Sequence, residues 1–205
     1  MQAYTTVRRE ASFEYEDRKS VFIAEVSPVS SEEEALGFLA SIKKKYPDAN
    51  HHVYAYVLRE NSIMRFSDDR EPQGTAGMPV LDVIRKNSCC DVAIVVVRYF
   101  GGTLLGTGGL VRAYGGAAAG ALRSAEIITY DIYTFFDIEV SYSDHGKILS
   151  VLESVGFRIK DTVFSDKVTV MGSVKSAMLN EVLKKITEAC CGRAQFKNIE
   201  EKFDF

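Results

Sequence analysis

Residues 90–109 read CDVAIVVVRYFGGTLLGTGG, and this stretch decides the fold. Its first half, Cys90 to Val97, is a near-continuous apolar run rich in β-branched residues. A strand without polar alternation has no face to give to water, so it reads as a central strand buried on both sides. The run ends at Arg98, Tyr99 and Phe100 and passes into the glycine-rich segment Gly101 to Gly109. Leu110 to Arg123 follows, read as a helix in which Ala117, Ala118, Ala119 and Ala121 are small enough to sit close against a sheet. Strand, glycine turn and helix in that order make a mixed α and β domain.

Upstream, Gly74 to Pro79 is a second glycine-containing segment, preceding an apolar stretch through Ile84 that fits a helix with Pro79 in its first turn. His52 to Leu58 and Ile63 to Ser67 read as short strands separated by the turn Arg59 to Ser62. Lys19 to Val26 reads as another strand. Ser30, Ser31 and Glu32 to Glu34 open a helix, with serine at the cap and acids where the dipole favours them. Lys43, Lys44 and Lys45 close that helix before Pro47 and match the negative end of its dipole; a phosphate-binding patch is the second reading.

Downstream, the texture changes at Ile127 to Asp131. The order then reads strand (134–141), helix (144–155), strand (157–164), strand (167–173), helix (176–190) and strand (195–203), with Gly156 and Gly192 at the helix ends and Ser165-Asp166 as a hairpin turn. That βαββαβ order is the ferredoxin-like arrangement. The fold class is therefore α+β, with one domain over 1–131 and a second over 132–205. The second carries no Cys/His cluster and no glycine loop, so packing or binding is expected of it.

The chain has 205 residues, 25 Lys+Arg against 28 Asp+Glu and a net charge of −3, with 46% hydrophobic residues. This is globular composition, and it excludes a globally basic nucleic-acid binder while leaving room for a local basic face. No apolar run approaches the roughly 18–20 residues needed to span a bilayer. Charges in Met1 to Arg18 stand where a signal peptide is apolar, so a cytoplasmic protein without a membrane partner is expected. The cysteines, Cys89-Cys90 and Cys190-Cys191, lack Cys-x-x-Cys spacing and read as small buried hydrophobes in a reducing compartment.

The densest chemistry lies in two places. Asp68, Asp69, Arg70, Glu71, Pro72, Gln73, Gly74 and Thr75 run together, and Arg98, Tyr99, Phe100, Gly101 and Gly102 follow the central strand. Glycines before a helix leave unpaired N–H groups at its positive end, an arrangement that favours anions. The segments at Gly74-Thr75 and Gly108-Gly109 give two such helix starts, with Arg98 and Arg112 flanking the second. Arg98 suits a phosphate, or pairs internally with Asp68, Asp69 or Glu71, the glycines then serving close backbone packing. Tyr99, Phe100 and Tyr114 suit stacking on bases or core packing. His51 and His52 enter a strand, so one faces outward and offers a ligand contact. Gly101 to Gly106 satisfies G-x-x-x-x-G, but Thr107 stands where a P-loop needs lysine. Asp68, Asp69 and Glu71 form an acid cluster of open role: a solvated turn, a hydrogen-bonded structural role or, as the weakest reading, a magnesium site. No nucleophile or metal signature is present, so no cofactor is expected.

Phe66 to Asp69, Glu71-Pro72, Gly74 to Gly77, Pro79, Val96 to Gly102, Leu105 to Leu110 and Arg112 to Tyr114 closely resemble the signature of the IMPACT / YigZ family, and the likeness to its bacterial two-domain members spans essentially the whole chain. Two positions depart: Arg70 stands where the family usually has glycine, and Val53 where cysteine is frequent. The resemblance implies a first domain with a ribosomal-protein second-domain fold, shared with GHMP kinases and elongation factor G domain IV. It implies a second, ferredoxin-like domain resembling domain V of that factor. Eukaryotic relatives regulate translation under amino-acid starvation. The expected function is a non-enzymatic, translation-linked protein that binds RNA, the ribosome or a translation-associated protein. A magnesium-dependent enzyme or binding protein for a phosphorylated small molecule is one alternative, and a protein-binding adaptor the other.

Overall fold

The structure, a computed structural model, describes residues 3–205, the side chain of Asn61 excepted; Met1 and Gln2 of the charged N-terminal stretch lie outside the described residues. Its elements are β1 (Tyr4–Val7), β2 (Ala11–Asp17), β3 (Ser20–Pro28), α1 (Glu32–Lys45), β4 (His51–Leu58), β5 (Ile63–Ser67), α2 (Gly77–Lys86), β6 (Val92–Tyr99) and α3 (Gly106–Ser124). There follow β7 (Ile127–Val140), α4 (Tyr142–Ser154), β8 (Arg158–Phe164), β9 (Val168–Lys175), α5 (Leu179–Ala189) and β10 (Gln195–Asp204). Contacts divide the chain into two compact units, the first Tyr4–Thr129 and the second built on Tyr130–Phe205.

The first unit is built on an antiparallel sheet of order β2-β3-β6-β4-β5. β6 is its centre and is buried from Val92 to Arg98. Alternate side chains of a strand face opposite ways, and here both ways lead into core. Val92, Ile94 and Val96 pack with Leu110, Ala113, Ala117 and Ala121 of α3 and with Val80 and Ile84 of α2. Val95 and Val97 pack on the other side with Leu39 and Ile42 of α1. The sheet is thus sandwiched between α1 and the α2/α3 pair. Removing a fully buried side chain such as Ile94 costs about 2–5 kcal/mol in such a core.

Local chemistry sets the helix ends. The Ser31 hydroxyl accepts from the Glu34 amide at 3.2 Å, and the Glu34 carboxylate accepts from the Ser30 amide at 2.6 Å. β1 and β2 were not among the strands expected from sequence. Thr5 of β1 pairs with Cys89, and β2 forms a hairpin with β3 over the left-handed turn Arg18-Lys19.

The second unit follows the expected βαββαβ order, with the antiparallel sheet β10-β7-β9-β8. Its first strand is longer than expected, because β7 already begins at Ile127. One face of that sheet packs on α4 and α5 through Ile138, Val170, Ile148, Leu152, Val182 and Ile186. Gly156 and Gly192 take the left-handed conformation that ends each helix. Asp144, in the first turn of α4, is buried and receives two bonds from Arg193, at 2.9 and 3.1 Å.

Candidate functional site

Strand register builds the centre of the site. Arg98, at the end of β6, lies opposite Phe22 of β3 and His51 of β4, so the three share one face of the sheet. That is the α2/α3 face, since Arg98 keeps the parity of Val92, Ile94 and Val96. The guanidinium is 5.4 Å from the Phe22 ring and 5.5 Å from the Phe100 ring.

Arg98 is buried, and its Nη1 donates to Glu71 Oε1 at 2.6 Å. The Tyr114 hydroxyl of α3 donates to the same oxygen at 2.7 Å, and His51 Nε2 lies 3.7 Å from it. Burial, then the bond to Glu71, pushes the Tyr114 hydroxyl far above the usual phenol range, so it stays protonated and donates. Oε2 of Glu71 has no hydrogen-bond partner among the described residues. Arg98 Nε is buried and also without one.

Arg98, Glu71 and His51 line a cavity of about 490 Å³, together with Asn50, Pro72, Phe100, Leu104, Leu105, Gly106, Thr107 and Leu110. The first turn of α3 opens into it through Gly106 and Thr107. Among the described residues no side chain caps that helix start, and no acidic residue stands in its first turn. Its amides therefore present donors and the positive end of the dipole. Phe100 and Leu104 stand exposed at the edge, Leu104 at 81%. The Phe100 amide is held by Asn50 Oδ1 at 2.8 Å.

Several expectations from sequence are corrected here. Arg98 does not face solvent to meet a phosphate; it takes the internal pairing, with Glu71 as its partner. The helix start at Gly74-Thr75 is no open anion site, because the Asp68 carboxylate already accepts from the amides of Gly74, Ala76 and Gly77 at 2.9, 3.1 and 2.7 Å. Asp68 is thus the cap of α2, a contact of the kind whose loss costs about 1–2 kcal/mol. Asp69 turns elsewhere and accepts from the His52 amide at 2.7 Å. Asp68, Asp69 and Glu71 therefore point to three different partners and make no shared magnesium site. Among the described residues no three His, Cys, Asp or Glu side chains are placed to hold a metal ion.

Gly108 and Gly109 lie inside the first turns of α3 instead of before it, and Gly109 is buried against Leu105. Gly101 serves close packing: a Cβ there would lie 2.1 Å from the Lys19 carbonyl carbon. Gly102 has a φ of +83°, a turn conformation. Tyr99 faces α1, away from Arg98 and Phe100, and Tyr114 is core. Arg112 is exposed in a separate groove between α2 and α3, with Gly74 and Lys86. His51 lines the cavity, whereas His52 bonds the Tyr46 carbonyl under α1 at 2.9 Å. Asn50, Leu104, Leu105 and Thr107 of the cavity wall were not expected from sequence to be binding residues. Thr107 and Leu105 lie within the glycine segment, and only the direction of α3 reveals their exposure to the cavity.

All four cysteines are free thiols. No helix among the described residues is long and apolar enough to cross a membrane.

Comparison with known proteins matches residues 18–122 to the Impact N-terminal domain and residues 138–193 to a domain of unknown function, DUF1949. IMPACT family member YvyE of Bacillus subtilis is 36% identical over 201 residues, covering 98% of this chain and 93% of that protein. IMPACT family member YigZ of Escherichia coli is 34% identical, covering 91% of this chain and 93% of its own length. Bovine Protein IMPACT is 35% identical over 94 residues, which is 44% of this chain and 30% of that protein. A crystal structure described as that of a hypothetical protein superposes with a TM-score of 0.61 at 32% identity, covering 98% of both chains.

Proposed function

We propose, from the premise that this chain belongs to the IMPACT family, that it is a non-enzymatic, cytoplasmic binding protein of the translation apparatus, engaging RNA or the ribosome at the start of α3. One observation carries this reading: the uncapped first turn of α3 opens on a cavity edged by exposed Phe100 and Leu104. Free amides at a positive helix end suit a phosphate, and an exposed aromatic face suits an unpaired base. Cationic side chains stand on the flank as well. The exposed Arg18-Lys19 turn lies against Gly101, and Arg70, 3.9 Å from Asp69, donates to the Asn50 carbonyl at 3.3 Å. With a net charge of −3 the interaction is confined to this patch.

In this reading Arg98 is a positioning residue: it holds Glu71, and through it the loop that forms one wall of the cavity. The test is co-sedimentation of the purified chain with ribosomes at low and moderately high salt. Binding should weaken with salt and fall further in Lys19→Glu, which removes one cation from the flank and leaves the core untouched. Absence of binding at both salts would overturn the proposal.

A further inference from the structure

We infer that the cavity at the start of α3 holds one nucleotide unit, its base against the apolar wall and polar floor and its phosphate on the α3 amides. The inference rests on the reading of this site as one that meets nucleic acid, and it names the chemistry the site selects.

The cavity's roughly 490 Å³ falls within the range of small-ligand sites. Its wall offers the exposed ring of Phe100 beside Leu104 and Leu110, a surface for a flat apolar body. Its floor offers something else. Glu71 Oε2 is an acceptor with no hydrogen-bond partner among the described residues, and unlike Arg98 Nε it is not sealed off beneath the floor. An open acceptor on a largely buried carboxylate favours a ligand that brings a donor to it. The edge of each nucleobase carries such a donor.

Simpler ligands fail one half of the site. An apolar molecule would leave the Glu71 oxygen unmet. Inorganic phosphate would use the helix start and leave the apolar wall to water. A nucleotide uses all three surfaces. The Arg98–Glu71 ion pair keeps the floor without net charge, so a neutral base lies there at no electrostatic cost. The unit comes either as a free mononucleotide or as one unstacked residue of single-stranded RNA, and the two share this chemistry.

The experiment is isothermal titration of the full chain with the four ribonucleoside monophosphates, ribose 5-phosphate and a single-stranded RNA tetranucleotide. A nucleoside monophosphate or the tetranucleotide should bind at least ten-fold more tightly than ribose 5-phosphate. Phe100→Ala should weaken that binding about ten-fold. Thr107→Asp, which sets a carboxylate at the α3 start, should weaken it as well. Both residues are exposed, so the variants should melt with the unmodified chain. Tight binding of the tetranucleotide alone assigns the site to RNA, and equal binding of the mononucleotide assigns it to the free form. Ribose 5-phosphate binding as tightly as any nucleotide overturns the inference, as does absence of binding by every nucleotide and oligonucleotide. A chain that sediments with ribosomes yet binds no nucleotide removes this inference and keeps the functional reading; nucleotide binding without ribosome binding does the reverse.

Discussion

Arg98 Nη1 and Glu71 Oε1 lie 2.6 Å apart, with 6% and 4% of their side chains exposed. The pair joins the end of the central strand to the loop before α2. Truncating one partner of a buried pair leaves the other charge unmet and costs about 3–5 kcal/mol. Arg98→Ala should therefore lower the urea midpoint sharply. Glu181→Ala, which breaks the exposed helical pair with Lys185, should cost less than about 1 kcal/mol. Equal midpoints for the two variants would contradict the buried role of Arg98.

Arg70 occupies a φ of +72° in a turn closed by the Glu71 amide on the Asp68 carbonyl at 3.0 Å. A side chain in the left-handed region costs about 1–2 kcal/mol, partly offset by the extra freedom glycine has when unfolded. Arg70→Gly is therefore expected to stabilise by about 0.5–1 kcal/mol. A thermal melt checks it, and a fall in the midpoint would show that this turn does not carry the strain.

Two glycines should behave in opposite ways. At Gly101 a Cβ would meet the Lys19 backbone at 2.1 Å, while at Gly115 in α3 it would meet nothing within 4 Å. Gly101→Ala forces the β2–β3 turn to shift and should cost about 1–3 kcal/mol. Gly115→Ala adds a better helix former in open space and should gain about 0.5–1 kcal/mol. Denaturant midpoints moving in the same direction would contradict this.

Acid should weaken the second unit. Bonds from Arg193, then Lys147 and Ser141, hold the Asp144 carboxyl well below the usual carboxylate range. Lys167 and Lys197 hold Glu139 down to about 2. A carboxyl with a depressed native value gives stability that is fully present above its unfolded value, near 4, and is lost as pH falls toward the native one. Melts of the unmodified chain from pH 5 to pH 2 should fall more steeply than those of Asp144→Asn. Parallel curves would show that Asp144 does not couple folding to acid.

Some of this was legible in sequence for clear reasons. The apolar run at β6 had to be central because it has no wet side. The second unit was legible because Gly156 and Gly192 mark where its helices stop. β2 was missed although Ala11, Phe13 and Tyr15 alternate with Ser12, Glu14 and Glu16, since the acids masked a period-two pattern. The same period, carried past Val96, places Arg98 on the α3 side and Tyr99 on the α1 side. What no local pattern gives is which acid Arg98 meets. Glu71 is 27 residues away, and Asp68 was already committed to amides six to nine residues ahead. A loop that folds back to cap its own helix looks in sequence like a free acid cluster.

The most direct test of the account is ribosome co-sedimentation of three chains side by side: the unmodified protein, Phe100→Ala with Thr107→Asp, and Arg112→Ala. The predicted result is salt-sensitive binding of the first, loss in the double variant, and near-normal binding in Arg112→Ala, whose side chain lies in the other groove. Full binding by the double variant, or loss in Arg112→Ala alone, would contradict the assignment of the site to the start of α3.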